Sequence, residues 1–421
     1  RDFRKWENWL LCEVAVEDCA DLFDCLGGDQ CSPSTVHDST GMQKDLENWQ
    51  SLPVIPRGPG GDEDERDFRK WDFNIWLLDV EELLPLSMHI VASFGFYKSF
   101  SLDTHTFCAY ISEVQRLMGT YVNPYHNYRH IMDVTQSVAC IVDEFEASTW
   151  LSDLEIFSLI MSAVVHDLEH PGTNNAYQVN AETPLAIRYN DISVLENHHC
   201  AKAFEVMAAT GCNIVSGLTP TERKGFRKNV IALVLNTDMM HHFVLRAELD
   251  AVVKRNITDA PPRKASDPFT RMDEKDLLVV MKSILHTADI SNPAKRWTVS
   301  RKWSDLVCEE FFLQGDREKR ENFPVSMNCD RDTVRQDELS MNFADFIVAP
   351  FFFSMTTLLP KMMRCCKILG TNRSNWNDMY MTRSDDSDPV VKEAMGKWAA
   401  RHAGFEEKLC ALEDSIIHPS S

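Results

Sequence analysis

Apolar residues recur at three- and four-residue spacings through Phe107–Leu117, Val134–Phe145, Leu154–Val165, Phe226–Leu235, Leu277–Leu285 and Trp303–Leu313. That is the period of the α-helix, and it lays one apolar stripe along each segment. A half-buried strand would need alternation with period two, and a hairpin would need a short Gly- or Asn-bearing turn; neither interrupts these segments. The pattern predicts an all-α domain over residues 71–421. Two polar stretches read as surface loops: Arg255–Asp273, which holds Pro261-Pro262, and Gly315–Arg335, with ten acidic or basic residues.

Residues 1–70 differ and read as a small N-terminal extension. Helix-like pieces at Phe3–Val14 and Val16–Leu26 are followed by Pro53–Gly61, whose three Pro and three Gly run into Asp62-Glu63-Asp64-Glu65, a linker by composition. The hexamer Arg-Asp-Phe-Arg-Lys-Trp occurs at 1–6 and again at 66–71. One hexamer is too short to imply a repeat architecture and reads as a short docking element or an artificial duplication.

A net charge of −21, from 43 basic and 64 acidic residues, excludes a basic nucleic-acid-binding surface and gives no help at anionic membranes. Any phosphate-binding site must therefore bring its own positive charge. The 13 cysteines follow no C-x-x-C pattern; Cys108, Cys140, Cys308 and the pair Cys365-Cys366 lie in apolar segments, as reduced thiols of a cytoplasmic protein do. Cys12, Cys19, Cys25 and Cys31 are spaced poorly for zinc. No apolar run looks long enough to cross a membrane, so no transmembrane segment is expected.

Metal-type ligands gather in three places: Tyr125-His126-Asn127-Tyr128-Arg129-His130, then His166-Asp167-Leu168-Glu169-His170, then His286-Thr287-Ala288-Asp289. His126 and His130, four apart, share one face if helical; alone, such a pair reads more readily as two ordinary histidines. His166 and Asp167 follow an apolar run, where a His-Asp pair is costly to desolvate unless a cation faces it. Asp289 ends another such run and needs a cationic partner too. His130, His166, Asp167 and Asp289 make a donor set suited to Zn2+, and Asp167 can bridge to a harder ion such as Mg2+. Two such ions clamp phosphoryl oxygens and supply hydroxide. His126, beside a ligand but free itself, is placed as a general acid. His170, Glu196 and Thr237 read as groups orienting water near the metals, and His241 and His242 as residues on a helix surface.

In order, H-x-x-x-H (126–130), H-D-L-E-H-P-G-x-x-N-x-Y (166–177), S-V-L-E-N-H-H (193–199), H-T-A-D-I-S-N-P (286–293) and E-E-F-F-x-Q-G-D (309–316) closely resemble the catalytic domain of class I cyclic nucleotide phosphodiesterases. The resemblance spans about Trp71 to Asn375. It implies a compact domain of about sixteen helices, a binuclear Zn2+/Mg2+ centre in which Mn2+ can take the second place, and hydrolysis of cAMP or cGMP to the 5′-monophosphate. By motif, His130, His166, Asp167 and Asp289 resemble the zinc ligands, Asp167 also touching magnesium, and His126 the proton donor. Tyr125, Asn292, Val307, Phe311 and Phe343 resemble the nucleoside pocket, Phe311 and Phe343 or their neighbours enclosing the purine. A regulatory partner or dimer is left open.

One position departs from the family. Three residues before Phe343 of Phe343-Ala344-Asp345-Phe346-Ile347-Val348-Ala349-Pro350, where the family carries Gln, stands Ser340. A hydroxyl reaches less far than an amide and offers no bidentate contact. Gln336, one turn earlier, is a candidate substitute. Asn292 can accept from the adenine 6-amino group and donate to N7, so cAMP is expected with modest discrimination against cGMP. Two other readings compete: a more distant HD-type nucleotide phosphohydrolase, and a catalytically inactive cyclic nucleotide sensor.

Overall fold

The computed structural model describes residues 63–259, 272–384 and 387–417. The helix-like pieces at 3–14 and 16–26, the four cysteines before residue 32, the first hexamer, the linker at 53–61 and most of the predicted loop at 255–273 lie outside them. All described residues belong to the unit Val54–Ser421.

Fifteen helices of six residues or more run in order: α1 Leu83–Ser93, α2 Thr104–Met118, α3 Tyr128–Val142, α4 Asp153–Val165, α5 Asn175–Asn180, α6 Pro184–Tyr189, α7 Val194–Ala208 and α8 Pro220–Val234. There follow α9 His242–Val253, α10 Glu274–Asp289, α11 Trp297–Glu321, α12 Gln336–Phe343, α13 Ala349–Leu358, α14 Met363–Arg383 and α15 Pro389–Ile417. Among the described residues there is no strand. All six predicted segments fall on helices of this set, Val134–Phe145 running three residues past the end of α3 and Phe226–Leu235 one residue past the end of α8.

The centre is α3, packed against α4 and α10, with α8 packed on α4 and touching α10. Every residue of α3 except Arg129 is buried, as expected of a helix surrounded by others. Local chemistry fixes where these helices start. Asn127 caps α3 by accepting from the N–H of Arg129 and of His130, Ser152 and Glu155 form a capping box on α4, and Asp273 caps α10. Each such cap contributes about 1 kcal/mol. Because these caps set the register, they also set where His130, His166 and Asp289 emerge.

The charged stretch predicted as a loop from Gly315 is helical to Glu321, the end of α11. Gly315 is a packing residue here, not a breaker: a Cβ on it would lie 1.9 Å from the Cys329 carbonyl oxygen. The charges after it find partners, Arg317 with Glu321 at 2.9 Å and Lys319 with Asp330 at 2.6 Å.

Among the described residues one helical stretch, Gln336–Leu358, is long and apolar enough by composition to cross a membrane, contrary to the expectation from the sequence. More than half of its apolar window is buried within the domain. Asp345 within it is bound by Arg373 at 2.8 Å and Arg401 at 2.7 Å, the mark of a core helix.

The second hexamer copy is anchored. Phe68 and Trp71 are buried, and the Trp71 indole N–H donates to the Ala294 carbonyl at 2.9 Å. The packed chain therefore begins before Trp71.

Candidate active site

Three helix ends converge on one point. His130 is the third residue of α3, His166 and Asp167 follow the last residue of α4, and Asp289 is the last residue of α10. His130 Nε2 lies 3.3 Å from Asp167 Oδ2 and 3.4 Å from Asp289 Oδ1; His166 Nε2 lies 3.1 and 3.3 Å from the same two atoms. Four donors at ~2.0–2.1 Å from a tetrahedral ion would be ~3.4 Å apart, so the spacing matches such a site. Both imidazoles are fully buried, and among the described residues neither Nε2 has a hydrogen-bond partner. The His166 Nδ1–H donates to the Ala163 carbonyl at 2.9 Å, which aims its Nε2 at the cluster. Burial opposes charge on Asp167 and Asp289, yet the facing His166 holds both well below the usual carboxylate range. The residues present fit a divalent cation.

His126 and His130 are neighbours, their rings 5.6 Å apart, but not by sharing a helix face. Helix α3 starts at Tyr128, after the Asn127 cap, so His126 is on the loop before it. What places His126 is Glu310 on α11. One carboxylate oxygen accepts from the backbone N–H of Tyr125 at 2.8 Å and of His126 at 3.0 Å; the other pairs with His126 Nδ1. Burial works against a charged imidazole here, but Glu310, with Asp167 behind it, pushes His126 up to about 9. The outer nitrogen, Nε2, faces Asp167 Oδ2 at 4.0 Å.

His170 stacks on His126 at 4.0 Å, and burial together with the His126 charge keeps it neutral. The loop bearing it is tied down by Asn123, whose amide donates to the carbonyls of His126 at 2.9 Å and His170 at 2.7 Å. Gly172 permits this approach: it has a φ of 74°, and a Cβ would meet Asn123 Oδ1 at 2.5 Å. Glu196 accepts from the Asn175 amide at 2.9 Å; burial, with Asp238 nearby, pushes its carboxyl up to about 8. The Thr237 hydroxyl donates to the Val234 carbonyl at 2.8 Å.

Tyr125 and Asn292 meet: the phenol donates to Asn292 Oδ1 at 2.6 Å, and Asn292 Nδ2 faces Asp133 Oδ2 at 3.4 Å. Val307 and Phe311 on α11 and Phe343 on α12 are half-buried. The two helices touch where the Ser304 and Ser340 hydroxyls lie 3.0 Å apart. Gln336 spends its amide N–H groups on Ser304 at 3.1 Å and Asp305 at 2.7 Å.

His242 is no surface residue. It is buried, 2.8 Å from His286 Nε2 and packed on Phe351. Its neighbour His241 is half-buried. Sequence reasoning passed over Glu310, although the signal was present: the spacing Trp303, Val307, Glu310, Gln314 puts an acid on the inward face of a helix.

Comparison with known proteins bears on this arrangement. Residues 125–369 match the family model described as 3′5′-cyclic nucleotide phosphodiesterase. The chain is 33% identical over 366 residues to the human high affinity cGMP-specific 3′,5′-cyclic phosphodiesterase 9A, covering 87% of this chain and 58% of that protein. It is 32% identical over 355 residues to the mouse 3′,5′-cyclic-AMP phosphodiesterase 4C, covering 80% and 50%. The chain thus spans about half the length of the curated relatives it matches. The crystal structure of the phosphodiesterase domain of the RhoPDE fusion protein from Salpingoeca rosetta superposes with a TM-score of 0.67 at 27% identity, covering 74% of this chain and 95% of that one. By the family match over 125–369 and by these relatives, the chain belongs to the 3′,5′-cyclic nucleotide phosphodiesterase family.

Proposed function

We propose that this chain hydrolyses a 3′,5′-cyclic nucleotide to the nucleoside 5′-monophosphate, using Zn2+ and Mg2+. The observation that carries this reading is a four-donor cluster with a charged histidine, His126, at its edge. His130, His166, Asp167 and Asp289 would hold the zinc. Asp167 would share its carboxylate with Mg2+, or with Mn2+ in its place, an ion that keeps most of its shell as water. When bound, such ions make hydroxide available near neutral pH and offset the charge of the phosphate.

The remaining work belongs to the chain. Because His126 Nδ1 is committed to Glu310, the proton it gives leaves from Nε2. That proton goes to O3′ as the P–O3′ bond breaks, while a water oxygen makes the new bond to phosphorus and gives up its own proton to solvent, from which His126 Nε2 is recharged. Glu196, with its carboxyl pushed up to about 8, can donate to water near neutral pH. Thr237, its proton committed to Val234, can only accept. His170 lies against His126 and keeps that ring in its plane.

For the base, this reading favours cAMP weakly over cGMP. Tyr125 donates to the oxygen of the Asn292 amide and Asp133 faces its nitrogen, which leaves one lone pair and one N–H for a purine edge. Adenine offers a complementary amino group and N7. With Val307, Phe311 and Phe343 holding the ring and Ser340 in place of an amide, selection rests mainly on Asn292. A cytoplasmic setting is supported by nine free cysteines among the described residues, eight of them buried.

Incubation with cAMP, cGMP and AMP, with and without Mg2+, tests the reading by product. It expects 5′-AMP and 5′-GMP, with Mg2+ dependence. Binding of cyclic nucleotide without any product would make the chain a sensor. Turnover confined to AMP would make it a different HD-type phosphohydrolase.

A further inference from the structure

His130 and His166 are held in different ways. A metal-binding imidazole usually donates its second N–H to a carbonyl or carboxylate, which fixes the ring. His166 does so through Ala163. His130 Nδ1 has no such partner among the described residues. Its ring is placed by other rings instead: Tyr125 at 4.6 Å and Trp303 at 5.9 Å, the latter edge-on.

Trp303 is in turn backed by Trp76, their rings 4.7 Å apart. Trp76 sits on the short 3-10 turn Ile75–Leu77, part of a strap at residues 66–78. Two cations grip its indole. The Arg129 guanidinium lies 5.1 Å and the Lys302 ammonium 3.8 Å from the ring centre. Arg129 precedes His130 on α3, and Lys302 precedes Trp303 on α11. Arg129 also donates to the strap carbonyls of Ile75 at 2.6 Å and Leu78 at 2.8 Å. Further back, Gln136 of α3 donates to the carbonyls of Phe68 and Lys70, each at 2.9 Å. Trp71 lies under the buried Lys295 ammonium at 3.9 Å, on the turn that follows Asp289 and Asn292. The strap thus joins α3, α11 and the 292–295 turn at residues adjacent to the four-donor cluster.

We infer that Trp76 is a positioning residue for the metal centre: through Trp303 it sets the orientation of His130, replacing the hydrogen bond that this imidazole lacks. The inference rests on the metal reading above. Its test is the rate at which zinc-loaded protein releases metal to a chelator, followed by elemental analysis, alongside the unfolding temperature. Loss of an orienting contact costs about 10–100-fold in metal affinity or activity, so Trp76→Ala should release zinc faster by that factor. Trp76→Phe, which keeps a ring against Trp303, should restore slow release. Lys302→Met, on the exposed side of the indole and without risk to the core, should speed release severalfold. A strap that only stabilises the fold would lower the unfolding temperature of Trp76→Ala and leave release at the wild-type rate, which overturns the inference. If Trp76→Ala fails to fold, Lys302→Met decides, and wild-type release there overturns it equally. Wild-type protein that holds no zinc would instead remove the metal reading.

Discussion

Replacing Glu310 with Gln isolates one charge. The carboxylate accepts from two backbone N–H groups with one oxygen and pairs with His126 Nδ1 through the other. An amide cannot do both. If its oxygen takes the two N–H groups, its NH2 faces Nδ1 and stabilises the neutral imidazole with its proton on Nε2, a very weak acid. Burial alone disfavours the cation, and the Glu310 charge is the largest influence raising His126 to about 9. Because that value is raised, His126 is charged below it, and the acid is lost as pH climbs through it. At pH 7.5 the wild type should be more than nine-tenths protonated; with His126 at or below its ordinary ~6.5, no more than about a tenth remains. A general acid contributes roughly 10²–10⁴-fold, so kcat should fall by at least tenfold and up to that range, and the alkaline limb should move down by about two units or more. A cation nearby lowers His126 in both proteins, so the difference is the quantity to read. The assay is steady-state turnover of cAMP from pH 6 to 10, with metal content measured on the same samples. A Glu310→Gln enzyme within threefold of wild type, with the same alkaline limb and full metal, would refute this account of His126.

Other outcomes follow from the same geometry. His126→Ala should lose roughly 10²–10⁴-fold in turnover while keeping its metals, and a substrate whose leaving group needs no proton should partly rescue it; measured metal loss would make His126 a ligand. Ser340→Gln should lower the KM for cAMP by an amount equivalent to about 1–3 kcal/mol, and unchanged kinetics toward both nucleotides would remove Ser340 from the pocket. Of the nine described cysteines, only Cys410 is exposed, so brief alkylation of native protein followed by peptide mapping should label Cys410 well ahead of the other eight.

Much of the four-donor cluster was legible because its residues lie in short, dense clusters whose burial calls for a cation. His166, Asp167 and Asp289 each end an apolar run, and that alone pointed to a metal. The closeness of His126 and His130 was legible too, but its cause was not. Spacing by four suggested one helix face, whereas the Asn127 cap excludes His126 from α3 and Glu310, 184 positions away, holds it. Such a contact leaves no local trace beyond the inward periodicity of α11. Polarity misled at Gly315–Glu321, where charges satisfied by Glu321, Asp330 and Arg331 make a helix look like a loop. It misled at His242 as well, because two neutral imidazoles can pair with each other inside a core. The role of the strap was invisible for a related reason: Trp76 and Trp303 meet only in the folded chain.

The central claim is that the four-donor cluster is the metal centre at which cyclic nucleotide is hydrolysed. Stripping the purified protein with a chelator, then titrating Zn2+ back in the presence of Mg2+, tests it most directly. The account predicts loss of cAMP turnover on stripping, and recovery that saturates at one tightly bound zinc per chain in the wild type but not in Asp289→Ala. Undiminished turnover by the stripped protein, or full zinc binding and activity in Asp289→Ala, would contradict it.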